Sequence, residues 1–143
     1  MTAGSIAGAC LCEQVRFELR MPTLVCVHCH CSMCRRTHGA GYVTWIRLPK
    51  DQIRFLSGEE ALEHYRSSEH ATRSFCRDCG SSLFFETTHS PETIDVVLAN
   101  LAGAIDREPQ LHVHFDDRVV WIHVDDDLPR IGDPEALESP SSP

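Results

Sequence analysis

Apolar and polar residues alternate along much of this chain with the period of a strand, not that of a helix. Over residues 13–20, Val15, Phe17 and Leu19 alternate with polar neighbours, which predicts a strand with one buried face. Residues 23–28 are β-prone, and 42–48, rich in β-branched and aromatic side chains, predict a further strand that Pro49 stops. Short strands are expected over 62–66, 72–75, 83–86 and 93–98. Residues 111–115 and 119–124 read as the arms of a hairpin turned by Asp116-Asp117-Arg118. The stretch from Ser32 to Gly41 is too short and too closely bounded by glycine for more than one helical turn. Strands at intervals of roughly ten residues, with no sustained 3.6-residue period, predict a mainly β architecture of sandwiched or folded antiparallel sheets with short helical turns.

The chain has 143 residues, enough for one domain with its own core. From about Asp125 the sequence turns acidic and then Pro/Ser-rich. The expected division is a folded domain over 1–131 and a disordered tail over 132–143. A formal net charge of −8 disfavours nucleic acid as a partner, because phosphate-backbone binding needs clustered Lys and Arg. No apolar run approaches the ~20 residues that span a bilayer, so a membrane partner is not expected. The opening residues lack the basic and uninterrupted apolar regions of a signal peptide. A cysteine-rich chain without an export signal is expected in the cytoplasm, where thiols stay reduced.

Eight cysteines carry most of the candidate chemistry. Cys10 and Cys12 form a C-x-C pair, and Cys76 and Cys79 form C-x-x-C followed by Gly80. Cys29, Cys31 and Cys34 form C-x-C-x-x-C, with Cys26 just before them. Thiols held one or two residues apart converge on one point, as tetrahedral zinc requires. A disulfide framework is the competing reading, but it needs an oxidising compartment. Cys76 and Cys79 resemble a zinc knuckle that supplies two ligands, and Cys10 and Cys12 can supply the other two. Such a site staples the first strand to the middle of the chain. Structural zinc contributes about 10–16 kcal/mol in small zinc-finger peptides. That matches the ~5–15 kcal/mol stability of a whole domain. Cys29, Cys31 and Cys34 remain as three ligands of a second zinc, the arrangement of an open, catalytic site. Cys26 is either a fourth ligand that closes this site or a small buried hydrophobe.

These residues resemble a known family. Gly8-Ala9-Cys10-Leu11-Cys12 precedes Val15-Arg16-Phe17; Cys29-His30-Cys31-Ser32-Met33-Cys34-Arg35-Arg36 and Gly39-Ala40 follow. Then come Arg73-Ser74-Phe75-Cys76-Arg77-Asp78-Cys79-Gly80-Ser81-Ser82-Leu83, and later Trp121 and Asp127-Leu128-Pro129-Arg130. Together, from about residue 4 to 131, they look like the glutathione-dependent formaldehyde-activating enzyme (GFA) family. The resemblance implies a Mss4-like fold, with Cys10, Cys12, Cys76 and Cys79 holding a structural zinc. It implies that Cys29, Cys31 and Cys34 hold a catalytic zinc. It also implies a carbon–sulfur lyase that makes or breaks S-hydroxymethylglutathione, with glutathione and a small aldehyde as partners. One departure stands out: Glu13 occupies the position of the family's typical glycine.

Three thiolates on one Zn²⁺ leave a formal charge of −1, a weak Lewis acid for a carbonyl but a competent holder of a substrate thiolate. Arg35 and Arg36 either hold a substrate carboxylate or offset thiolate charge. His30 is expected to point away from the metal, because neighbours on an extended segment face opposite ways. His28 and His38 are candidates for proton transfer, or plain surface histidines. His112 and His114 share a strand face on this reading, where they either ligate a metal or merely pair. Trp45 and Trp121 are expected in the core, and Asp125–Asp127 in a solvated turn. The alternative function is a non-catalytic, zinc-stabilised binding module of the Mss4-like class, which a ligating Cys26 would favour. Protein purified without chelator is expected to carry close to two zinc ions per chain by elemental analysis. A well-folded protein with no metal at Cys10, Cys12, Cys76 and Cys79 would contradict this partition.

Overall fold

The computed structural model describes residues 4–132. Two sheets form. A three-stranded antiparallel sheet takes the order β1-β2-β5, from Ser5–Ala9, Arg16–Arg20 and Ile53–Ser57. A seven-stranded sheet takes the order β10-β3-β4-β9-β8-β7-β6. Its strands are β3 (Val25–Cys29), β4 (Val43–Pro49), β6 (Leu62–Arg66), β7 (Ala71–Cys76), β8 (Ser82–Thr87), β9 (Thr93–Val97) and β10 (Leu111–Val113). All neighbours are antiparallel except β10, which runs parallel to β3. The mainly β class expected from the alternation is the class observed. Among the described residues no helix is long and apolar enough to cross a membrane.

Alternation along the central strands gives the large sheet two apolar faces. One face carries Ile46, Leu48, Ile94 and Val96 and packs with Val15, Phe17 and Leu19 of the small sheet. Phe17 stacks edge-on against Phe84 across this core, ring centroids 5.1 Å apart. The opposite face carries Val43, Trp45, Phe85 and Val97, with Cys29, Cys31 and Cys34 above them. The strand pattern thus places the second cysteine group on its own core, away from the first.

The structure differs from the sequence expectations at several elements. β1 and β5 were not expected. The β1 sequence SIAGA is built of small residues with weak strand preference. Its Gly8 is needed because a Cβ there would stand 2.4 Å from the Phe17 ring. The helix α1 (Ser32–His38) runs for seven residues, not one turn. Cys31 caps its start by accepting from the Cys34 N–H, and Gly39 ends it in the left-handed region at φ 62°. The hairpin over 111–124 does not form. β10 stops at Val113, His114 turns left-handed, and Phe115–Asp117 make a 3-10 turn. Residues 119–124 contain no strand, and Trp121 is 67 % exposed, while Trp45 is buried as expected. The outer edge of β10, the nearest strand, is bonded instead to the backbone of Pro129 and Ile131. All but the first residue of the proposed tail lies outside the described residues.

One row of residues crosses the face under the second cysteine group. Register aligns Arg73 of β7 with Phe85 of β8, Asp95 of β9 and Arg47 of β4. Arg47 and Asp95 form a buried two-pronged pair, with N–O distances of 2.7 and 3.1 Å. Asp95→Ala leaves Arg47 buried without its carboxylate and is expected to cost about 3–5 kcal/mol in denaturant unfolding. Arg47→Met combined with Asp95→Leu is expected to recover most of that loss. Equal stability of Asp95→Ala and the parent would show that the pair carries no such role.

Candidate metal centre

Cys10 directly follows β1, Cys76 ends β7, and Cys79 lies in the turn to β8. The ligand atoms of Cys10, Cys12, Cys76 and Cys79 all lie within 4.8 Å of one another. Sulfurs of Cys10 and Cys12 are 3.6 Å apart, and those of Cys12 and Cys76 are 3.8 Å apart. Tetrahedral thiolates ~2.3 Å from zinc stand about 3.8 Å apart, so the four sulfurs fit such an ion. The loops give their polar hydrogens to the cluster. The Val15 N–H donates to Cys10 Sγ at 3.3 Å, and the Ser81 hydroxyl lies 3.3 Å from Cys79 Sγ. That hydroxyl and nearby backbone N–H groups hold the Cys79 thiol down to about 5. The cluster ties the small sheet to the β7–β8 end of the large one.

Cys29 ends β3, Cys31 caps α1 and Cys34 lies on its first turn. Their three ligand atoms also lie within 4.8 Å of one another, and all three residues are buried. The Cys29 and Cys31 thiols, with the Arg73 guanidinium beside them, hold the Cys34 thiol down to about 2. Cys29 is held well above the usual thiol range by Cys31 and Cys34 and by burial. Cys26 is not part of this group. It is fully buried in the other core, where burial pushes its thiol up to about 11.

Arg73 is the functional residue that local sequence reasoning missed. It is only 4 % exposed, and both terminal nitrogens donate to Cys34 Sγ, at 3.6 and 3.7 Å. Its guanidinium also lies 5.0 Å from the Phe85 ring centroid. A buried cation requires a compensating anion. Three thiolates around a divalent ion carry a formal −1, which balances Arg73. The residues therefore fit a metal. Within β7 its neighbours Thr72 and Ser74 are polar too, so the local sequence gives no signal that singles it out.

Arg35 and Arg36 do not touch the sulfurs. Arg35 is half-buried and donates through Nε to the His30 carbonyl at 3.4 Å, and Arg36 is exposed. The α1 residues that reach a cleft are Thr37 and His38. With Tyr65, Arg73, Ser74 and Phe84 they line a space of about 290 Å³. A separate hollow of about 20 Å³ lies against Cys29, Cys34, Trp45 and Asp95. A larger space of about 530 Å³, bordered by Lys50, Arg54 and Glu86, contains no cysteine in its lining. His38 stands edge-on to Trp45 at 5.2 Å, and burial pushes its pKa down. His30 does point away from the sulfurs, its Nε2 2.8 Å from His112 Nδ1. His112 and His114 do not share a strand face, because His114 lies beyond β10 at φ 53°. Asp126 is not merely solvated: its carboxylate lies 2.9 Å from His112 Nε2.

The fold and the two cysteine groups define a β domain with two sites that could hold a metal ion, and the comparisons name its family. The model of the glutathione-dependent formaldehyde-activating enzyme family matches residues 5–117. The chain belongs to the GFA family, a glutathione-related lyase family. It is 32 % identical over 84 residues to an uncharacterised lyase of Schizosaccharomyces pombe, covering 57 % of this chain and 58 % of that one. The chain therefore spans less than two thirds of that relative. It is 25 % identical over 128 residues to a Halomonas elongata protein provisionally named a glutathione-dependent formaldehyde-activating enzyme, covering 84 % and 81 %. A crystal structure of a Rhodobacter sphaeroides protein, a structural-genomics target, matches with a TM-score of 0.59 and 29 % identity. That match covers 71 % of this chain and 92 % of the other.

Glu13 marks a local cost in the first cluster. It adopts φ 63°, in the left-handed region where a side chain crowds the backbone. Its N–H donates to the Cys10 carbonyl at 3.1 Å, which closes the turn carrying both cysteines. Glu13→Gly is expected to raise stability by about 1 kcal/mol in denaturant unfolding of the metal-loaded protein. Unchanged or lower stability would show that the turn carries no strain at Glu13.

Proposed function

We propose that this chain is a zinc-dependent carbon–sulfur lyase of the GFA type, forming or breaking a thiol–aldehyde adduct such as S-hydroxymethylglutathione. The observation that carries the reading is Arg73, a buried guanidinium hydrogen-bonded to the sulfur of a three-cysteine group. In this reading Cys10, Cys12, Cys76 and Cys79 hold a structural zinc, and Cys29, Cys31 and Cys34 hold a second. The second ion would supply an open coordination position at which a substrate thiol is favoured as its thiolate.

The chain's own residues do the rest. Arg73 balances the charge of the cysteine group and keeps Cys34 a thiolate. A thiol substrate would approach that group from the cleft bordered by His38, Tyr65 and Arg73, whose lining holds no cysteine and which adjoins the group through Arg73. Addition makes one carbon–sulfur bond, moves the carbonyl π pair onto oxygen, and delivers the thiol proton to that oxygen. His38 lines the cleft, and burial keeps it neutral near pH 7, so it is placed to carry that proton. Arg36, exposed on α1, and Arg35 beside it would attract the carboxylates of glutathione against the overall charge of −8.

Exchange between free formaldehyde and its glutathione adduct, followed by carbon-13 NMR, is expected to accelerate with the zinc-loaded protein. Cys31→Ser is expected to fold, lose the second zinc and lose the acceleration. Cys79→Ser is expected to be insoluble, because it opens the staple. Arg73→Leu is expected to lower the affinity of the second zinc while leaving the first in place. No acceleration by a fully loaded protein would favour the non-catalytic binding module, and equal unfolding of Cys31→Ser and Cys79→Ser would make both sites structural.

A further inference from the structure

A second kind of donor cluster stands outside the cysteine groups. β10 lies parallel to β3 with His112 opposite His28, and the two rings stand 4.8 Å apart. The chain then returns along His112. The His112 N–H donates to the Pro129 carbonyl, and the Ile131 N–H donates to the His112 carbonyl, both at 2.9 Å. That return sets Asp126 over the His112 ring, its carboxylate oxygens 2.9 and 3.2 Å from Nε2. One ligand atom each of His28, His112 and Asp126 lies within 4.8 Å of the others.

The far side of every donor is already held. His28 Nδ1 lies 2.7 Å from Thr44 Oγ1, and His112 Nδ1 lies 2.8 Å from His30 Nε2. Asp126 Oδ1 accepts from the Leu128 N–H at 3.0 Å and pairs with Arg130 at 3.3 Å. This leaves Nε2 of each histidine and Asp126 Oδ2 as the candidate donor atoms, and an ion would replace the 2.9 Å hydrogen bond between His112 Nε2 and Oδ2. Metal-ligating imidazoles have this form, one nitrogen toward the ion and the other fixed by a hydrogen-bond partner. The hydrogen-bond chain Asp126–His112–His30 accounts for three of these side chains without any ion. His28 takes no part in that chain, so it separates the two explanations.

We propose that His28, His112 and Asp126 form a third metal site for a borderline divalent transition ion such as zinc, independent of both cysteine clusters. Two imidazoles and a carboxylate select such an ion over hard Mg²⁺ and over the softest thiophilic metals. The site is open on the side of Asp126, whose side chain is 40 % exposed, so solvent or a small ligand completes the coordination. An ion there would clamp the C-terminal return onto β3 and β10 and raise thermal stability with the logarithm of free zinc above its dissociation constant.

Zinc is titrated by calorimetry into protein whose cysteine clusters are already saturated with zinc. One further equivalent is expected to bind. Its dissociation constant is expected to rise in His28→Gln and in Asp126→Asn by more than the roughly 10–100-fold carried by outer-shell partners. Both variants keep hydrogen-bonding groups for Thr44 and His112, so the hydrogen-bond chain survives. In the parent protein, zinc should shift the ring-nitrogen NMR signals of His28 and His112. No further equivalent at millimolar zinc would overturn the site, as would unchanged affinity in both variants. Ring shifts confined to His70 and His89, whose rings lie 4.3 Å apart, would overturn it too.

Discussion

A guanidinium closed away from water needs negative charge close by, and in this fold Arg73 meets the sulfur of Cys34. That contact constrains the site from both sides. It requires the cysteine group to be anionic, which a Cys34 thiolate or three thiolates around a divalent ion satisfy and three neutral thiols do not. It also requires β7 to hold Arg73 opposite Phe85, beneath α1. The neighbouring Asp95 cannot take over as counter-ion without releasing Arg47, to which it is already bonded through both oxygens. The row Arg73–Phe85–Asp95–Arg47 thus carries a net charge of +1 that an anionic cysteine group above it balances.

The two cysteine groups divide the work of the large sheet's two faces. Cys10, Cys12, Cys76 and Cys79 close the junction between the small sheet and the β7–β8 turn, at the edge of the first core, where loop backbone and a serine hydroxyl bond to the sulfurs. Cys29, Cys31 and Cys34 lie on the opposite face over Trp45, Phe85 and Val97. There the helix start helps to fix them, since Cys31 caps α1 with the same sulfur that stands beside Cys29 and Cys34. The first group joins elements far apart in sequence. The second is local in sequence and is positioned by the sheet beneath it.

Local spacing explains why the cysteine partition could be read before any coordinates. Ligands one or two residues apart converge whatever the rest of the chain does, and the strands around Phe17, Trp45 and Ile94 announce themselves by alternation. Arg73 could not be read that way. Its role comes from cross-strand register and from α1 lying above it, neither of which leaves a mark within β7. The histidine–aspartate cluster was hidden for the same reason, because β10 pairs with β3 across some eighty residues of chain. Residues 119–124 misled in the other direction: the outer edge of β10 beside them is taken by the backbone of Pro129 and Ile131, and strong β preference produced no strand. Glu13 was recognised as a departure from the family's glycine, but only its left-handed backbone shows what the departure costs.

The central claim is that the second metal is held by three cysteine sulfurs and keeps a position open for a thiol. X-ray absorption at the zinc edge, on protein loaded with two equivalents, tests it most directly. Seven cysteine sulfurs shared by two ions give an average of about 3.5 sulfur neighbours per zinc, each at about 2.3 Å, with lighter atoms completing the shell. Adding glutathione should raise that average to about 4 and remove the lighter neighbour. An average of about 4 before any thiol is added, or no change on adding it, would contradict the account.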